Sequence, residues 1–282
     1  MVQDIDCVCH IIKQMDSQLR TELLIKEGEI QEKKLWENTY ICHQIARRER
    51  QEDFSMSDHI RAMVYAMLSS GISWERVEKG IDKDTGKNAY IDNIFYQYNP
   101  YYLLSSSPDV LTSEIKKLKC ASQSTRKQME ALVYINIPKM IQIEEHYGHI
   151  DKYYEMIVNG QVIWKTLVKA LSKENSKDKY AQMGEALIAE YLRNVGYDMA
   201  KPDRHIRRIL GCKYLGCSEH ENVPVDEAFE IIEEIADRMN EPAAYVDYIL
   251  WSYCAKGFGE VCTVKKPKCD LCVFFSACKR HQ

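Results

Sequence analysis

Four cysteines near the carboxyl end are spaced as metal ligands are. They follow the pattern Cys-x6-Cys-x2-Cys-x5-Cys, starting at Cys262 and continuing through Cys269, Cys272 and Cys278. An iron–sulfur cluster needs thiolates gathered in a compact, turn-rich loop, and Pro267 just before Cys269 suits one. Structural zinc also accepts four thiolates, but more often through two short Cys-x2–4-Cys pairs, and only one short pair occurs here. A chance grouping of structural thiols is the remaining alternative. The pattern points to one metal site, with a [4Fe–4S] cluster ahead of zinc.

The chain around this loop has 282 residues, 45% hydrophobic and 28% charged, enough for a sizeable core and two domains. Its eleven cysteines are an odd number in a chain too large to need a disulfide framework. Cys7, Cys9, Cys42, Cys120, Cys212, Cys217 and Cys254 therefore read as small buried hydrophobes. Apolar stretches such as 62–69 are too short to cross a bilayer. The start, Met-Val-Gln-Asp-Ile-Asp, is acidic and leads into no long apolar run, so an intracellular protein is expected. A net charge of −4 argues against binding nucleic acid through bulk electrostatics. Local charge differs: Lys256, Lys265, Lys266, Lys268, Lys279 and Arg280 face only Glu260 and Asp270 over 256–280, and Arg204, Arg207 and Arg208 follow Asp203. Such groups are either a footprint on a phosphate backbone or simply solvated faces.

Helices must position all of this. Ile60, Met63, Val64, Met67 and Leu68 form one stripe at helical spacing, Leu187, Ile188, Tyr191, Leu192 and Val195 a second, and Phe229, Ile232, Ile235, Ala236 and Met239 a third. Strand-like alternation is nearly missing, so an all-α fold is expected. Residues 1–50 read as polar-faced helices, and turns are expected at 82–86, 99–100 and 105–108. Gly196 ends the second stripe where a left-handed cap belongs, and Asp203 is placed to cap the helix that follows Pro202.

The run from Cys262 to Cys278 resembles the cluster loop of the endonuclease III and adenine glycosylase branch of the helix-hairpin-helix DNA glycosylases, in order and in all three gaps. Met183-Gly184-Glu185 followed by 186–195 looks like that family's hairpin and second helix. Leu192-Arg-Asn-Val-Gly196, leading to Lys201-Pro-Asp-Arg-His-Ile206, is similar to its aspartate segment and closest to the archaeal-type 8-oxoguanine glycosylases. Residues 109–131, with Arg126 and Lys127, resemble the segment before the hairpin, and 62–70 the first barrel helix.

The resemblance implies a two-lobed helical fold: N-terminal helices over 1–54 packing on the cluster lobe, a barrel with the hairpin over 55–202, and an iron–sulfur domain over 203–282. It implies a DNA glycosylase acting as a monomer on double-stranded DNA that contains an altered or mismatched base, within the cell and at its nucleoid. Asp203, at the cleft between lobes, would be the catalytic carboxylate. Such a charge stabilises oxocarbenium character at the sugar and orients a water, once the base has left the stack. Met183, Gly184 and Glu185 would hold a phosphate on the amides and dipole of a helix N-terminus; an ordinary interhelical turn is the alternative. Lys265, Lys266 and Lys268 would touch a second stretch of backbone. Where lyase-type members carry a lysine two residues after the second glycine, this chain has Ala186, which implies hydrolysis without Schiff-base chemistry. Ala181 and Gln182 replace the usual proline and first glycine of the hairpin. Tyr65 stands where adenine-specific members carry a glutamate, with Ser70 and Gly71 beside it as candidate pocket residues, and the 69–73 loop is a wedge candidate by position. The same departures fit a DNA-binding lesion or structure sensor that has lost catalysis; a metal-stabilised scaffold without DNA affinity is a third possibility.

Overall fold

A computed structural model describes residues 4–23, 36–71, 77, 80–82 and 87–280 of the chain. The expectations that fall on 24–35, 72–73 and 83–86 lie outside the described residues. Among those described, the only extended pairing is an isolated bridge between Ile81 and Asn88. The all-α expectation therefore holds. No helix among the described residues is long and apolar enough to cross a membrane.

In chain order the helices are α1 (Ile5–Gln18), α2 (Tyr40–Glu49), α3 (Met56–Leu68), α4 (Ala89–Ile94), α5 (Pro100–Leu104), α6 (Pro108–Lys117), α7 (Thr125–Ala131), α8 (Ile137–Tyr147), α9 (Ile150–Val158), α10 (Lys169–Ser172), α11 (Glu185–Arg193), α12 (Arg204–Ile209), α13 (Val225–Met239) and α14 (Ala243–Cys254). They fall into two units, one of Met1–Cys42 with Asp198–Gln282, the other of His43–Tyr197. The divisions come before the breaks expected after residues 54 and 202.

In the first unit, α1 starts where Asp4 accepts the amide of Asp6. Val8, Ile11, Ile12 and Met15 recur at helical spacing and are buried. This stripe packs on α13 and α14. Full burial of a side chain such as Ile12 contributes about 1.5–3 kcal/mol. α14 is buried over nearly its whole length. Pro242 offers it no capping side chain, so the Asp198 carboxylate accepts the amides of Ala243 and Ala244 at 3.1 and 2.8 Å. Gln18, at the end of α1, donates to the Leu271 carbonyl at 2.7 Å and accepts from the Tyr253 hydroxyl at 2.8 Å. The amino-terminal helix thereby holds the cysteine loop.

In the second unit, Ser55 and Asp58 form a capping box at the start of α3. α3 packs along α11, with Asn194 Nδ2 donating to the Ala62 carbonyl at 3.3 Å. Gly196 has φ +83°, and a Cβ there would lie 2.3 Å from the Gln44 carbonyl oxygen. The expected left-handed cap is present, and only glycine fits it.

A buried polar chain crosses this unit. Arg48 Nη2 lies 2.9 Å from Asp151 Oδ1, and His59 Nε2 lies 3.5 Å from the same oxygen. His59 Nδ1 meets the Tyr191 hydroxyl at 2.7 Å, which meets Tyr154 at 2.9 Å, which meets Tyr180 at 2.8 Å. Burial alone would raise the Asp151 carboxyl, but His59 and Arg48 outweigh it and hold the group at about 2, against 3.8 for an ordinary aspartate. A carboxyl held below its unfolded value stabilises the fold above that value and loses the contribution as pH falls through the folded one. Between about pH 4 and pH 2 the protein should lose about 2 kcal/mol through this group. Asp151→Asn is expected to remove that amount at pH 7 and to flatten this part of the stability curve, as urea unfolding across the pH range would read.

Candidate active site and cysteine pocket

Cys262, Cys269, Cys272 and Cys278 line one small pocket, together with Val261, Pro267, Phe274 and Tyr214. About 290 Å³ inside it is not filled by protein atoms, part of that open to solvent. Two short 3₁₀ turns, Cys269–Leu271 and Phe275–Ala277, carry the intervening residues. Tyr253, the penultimate residue of α14, accepts the amides of Val261 and Cys262 on its carbonyl, each at 3.0 Å, and the amide of Val273 on its hydroxyl at 3.0 Å. Among the described residues, no group of three or more His, Cys, Asp or Glu side chains is gathered closely enough to hold a single metal ion. The four cysteines share the lining of one pocket, as a group held by four thiolates would require.

Two residues that sequence reasoning read otherwise attend this pocket. Arg208 is not on a solvated face with Arg204 and Arg207. It is 8% exposed, its Nη2 donates to the Cys262 carbonyl at 2.5 Å, and its Nη1 lies 3.6 Å from Cys262 Sγ. Its guanidinium carbon stacks 4.8 Å from the centre of the Tyr214 ring. Cys254 is buried, as expected, and a hydrogen bond with it is the largest influence on the Cys262 thiol. That bond, with the charge of Arg208, pulls the Cys262 thiol down to about 6 against the opposing effect of burial. Burial pushes Cys272 up to about 11 and raises Cys278. Of these three, Cys262 is the thiol most ready to act as a thiolate ligand. Neither attendant had a spacing signal.

Asp203 caps α12 as expected. Its Oδ1 accepts the amides of His205 and Ile206 at 2.7 and 3.2 Å. No hydrogen bond among the described residues engages Oδ2, and the side chain is half-buried. One carboxylate can thus cap the helix with one oxygen and present the other. The preceding turn is held by Asp247, 3% exposed, whose Oδ1 accepts the Lys201 amide at 2.8 Å.

The hairpin lies in the second unit. Tyr180 donates its amide to the Leu171 carbonyl at 2.9 Å. Asn136, wholly buried, brackets the next residue: Oδ1 accepts the Ala181 amide at 2.8 Å, and Nδ2 donates to the Ala181 carbonyl at 3.0 Å. Gln182 follows with φ +60°. A residue with a side chain pays about 1–2 kcal/mol for that left-handed backbone, and the turn is made even though glycine is missing there. Met183 points inward and is 1% exposed. Gly184 is extended (φ −81°, ψ 174°) and N-caps α11, and a Cβ built on it meets nothing within 4 Å. Its value is open access to the backbone rather than an unusual angle. Glu185 pairs with Lys169 at 2.6 Å.

The remaining candidates are dispersed. Lys265, Lys266 and Lys268 are exposed on the cysteine loop, with Lys268 3.7 Å from Glu260. Tyr65 is wholly buried in α3. Its hydroxyl donates to Asp92 Oδ1 at 3.0 Å and accepts the Asn88 amide at 2.8 Å, so it is placed as a core residue. Ser70 is half-buried and Gly71 exposed just past the end of α3, and Ser122 lies against Gly71.

No protein-family model matches the chain, and no curated protein sequence matches it. Among solved structures, it is similar to the 8-oxoguanine DNA glycosylase of Methanocaldococcus jannaschii, with 19% identity, a TM-score of 0.51, and coverage of 89% of this chain and 96% of that one. It is equally similar to the 8-oxoguanine glycosylase/lyase of that organism in complex with a 15mer DNA containing 8-oxoguanine, with 19% identity, a TM-score of 0.51, and coverage of 86% and 96%. The chain therefore has the all-helical, helix-hairpin-helix fold of these archaeal 8-oxoguanine glycosylases.

Proposed function

We propose that this protein is a DNA glycosylase that hydrolyses the N-glycosidic bond of a damaged, modified or mismatched base in double-stranded DNA, acting inside the cell. The observation that carries the reading is Asp203: a half-buried carboxylate with one oxygen fixed by two amides and the other in no hydrogen bond among the described residues, on a fold shared with DNA glycosylases. Asp203 would stabilise positive charge at the sugar C1′ and orient a water toward it once the nucleotide is flipped out. The first-turn amides of α11 would take a backbone phosphate, and Gly184 lets the phosphate approach. The exposed lysines at 265, 266 and 268 would add a salt-dependent contact.

The Cys-x6-Cys-x2-Cys-x5-Cys spacing, with a single short pair, favours a [4Fe–4S] cluster over structural zinc. Cys262, Cys269, Cys272 and Cys278 would hold the cluster, which would supply structural cross-linking of the loop. Hydrolysis of a glycosidic bond transfers no electron, so no step is routed through it.

Ala186 leaves the hairpin without an amine, so the enzyme would have no lyase step. Borohydride should trap no covalent adduct with DNA that contains an abasic site. The decisive measurement is release of a free base from a panel of duplexes carrying altered or mismatched bases, with 8-oxoguanine first because the structurally similar complex holds it. Duplex binding with no base released from any member would favour the sensor, a reading that Ala186 also fits. Gly184→Ala tests the phosphate contact separately. The fold has room for the methyl group, so stability should change by less than about 0.5 kcal/mol. Duplex affinity should fall about tenfold, the loss of one amide bond to a charged group, as fluorescence anisotropy would measure.

A further inference from the structure

The hairpin turn before α11 is held from outside itself. The chain from Lys173 to Gly184 contains no helix, and no backbone–backbone hydrogen bond among the described residues involves Gln182 or Met183. Gln182 nevertheless keeps a left-handed backbone, φ +60°, which persists in a residue with a side chain only where the surroundings over-determine it. Those surroundings are the start of α8. The Ile137 amide reaches back to the Leu132 carbonyl and closes a single π turn ahead of that helix, a form that recurs at functional positions. The last residue of the π turn is Asn136, which grips Ala181 by both amide and carbonyl. Its Nδ2 also lies 3.5 Å from Met63 Sδ in α3. Three residues on, and so on the same face, Lys139 Nζ donates to the Lys177 and Lys179 carbonyls, each at 2.8 Å. It lies 5.9 Å from the centre of the Tyr180 ring.

We propose that Asn136 and Lys139 are positioning residues for a DNA phosphate at the hairpin, acting through the turn and touching no phosphate themselves; the proposal rests on the hairpin reading above. Between them they fix backbone groups of residues 177, 179 and 181, immediately before the left-handed residue. The turn, and with it the first-turn amides of α11, is thereby kept in one arrangement before DNA arrives, and a site already in its bound geometry loses less on binding. Lys139 is the more telling of the two. It is a cation beside a phosphate site, yet two of its three donors are committed to carbonyls. Its contribution is geometry rather than charge.

The test is the affinity of the full chain for a fluorescein-labelled duplex carrying 8-oxoguanine, read by anisotropy over a salt series, at a temperature where thermal unfolding shows each variant folded. Asn136→Ala and Lys139→Met, the second keeping the stem of a half-buried side chain, are each expected to weaken binding about tenfold, the size of one amide bond to a charged group. The dependence of affinity on salt should not change, because the partners lost are uncharged amides. Combined with Gly184→Ala, either change should cost less than about twofold more, since both act on one contact. Gln182→Gly removes the need for an outside hold and should restore most of the affinity of Lys139→Met. Lys139→Met decides the matter should Asn136→Ala not fold. Wild-type affinity in Lys139→Met, full additivity with Gly184→Ala, or no rescue by Gln182→Gly overturns the positioning role while leaving the phosphate site. A salt slope smaller by about 0.9 in Lys139→Met makes the lysine a phosphate contact in its own right and overturns the role as well. Wild-type affinity in Gly184→Ala overturns the hairpin reading, and this inference with it.

Discussion

Replacing Asp203 by Asn should slow base release about a thousandfold while leaving the protein as stable as before. The two effects separate because the carboxylate has two oxygens in different employment. Oδ1 caps α12 through the amides of His205 and Ile206, and asparagine is as good an N-cap as aspartate, so the fold should not notice. What asparagine lacks is the negative charge. A charged group aimed at charge developing in the transition state is worth about 10²–10³ in rate when removed, and in the proposed reaction it would also orient the water. A factor of a thousand corresponds to about 4 kcal/mol of transition-state stabilisation. Asp203→Ala loses both functions and should cost a further 1 kcal/mol or so in stability. Single-turnover base release and thermal unfolding, run on the same three proteins, measure the two quantities. Near-wild-type turnover by Asp203→Asn would make the residue a cap and nothing more.

If the four cysteines hold the proposed cluster, Cys272→Ser and Cys278→Ser should have the largest effect on stability, because a metal site formed only in the folded state contributes its binding free energy to folding. Loss of a structural metal belongs with the few mechanisms that cost more than about 4 kcal/mol in one substitution. The damage should be regional. The loop is tied to the rest of its unit by Gln18 to Leu271 and by Val273 to Tyr253. Without the cluster these bonds hold a segment with little helix and an unfilled pocket. Amide exchange should therefore rise over 262–280 and at the end of α1, while α3 and α11 in the other unit stay protected. Uniform exchange changes across both units, or stoichiometric zinc in the wild-type protein, would contradict this picture.

Much of the helical framework could be read directly, because amphipathic spacing is a local property. The stripes over 60–68, 187–195 and 229–239 became α3, α11 and α13 at nearly the expected bounds. Gly196 and Asp203 were legible for the same reason: a left-handed cap and an N-cap are decided by a residue and its next few neighbours. The cysteine pattern was legible as a candidate ligand set because its four members lie within one short loop.

What the tertiary structure alone decided concerns residues whose partners are distant in sequence. Arg208 sits in a run of basic residues that reads as a phosphate footprint or a solvated face, yet it is turned inward onto Cys262 and Tyr214. Gln182 stands where the pattern of the hairpin asks for glycine, and the left-handed turn is made regardless, beside an Asn136 that clamps its neighbour Ala181 from 45 residues away. The amino-terminal helix joins the unit that begins at Asp198 because α1 needs a partner for its apolar stripe, and α13 and α14 supply one. Sequence periodicity states which face of a helix must be covered. It carries no term for what covers it, since that depends on contacts whose spacing along the chain is arbitrary and whose energy appears only once the chain has folded.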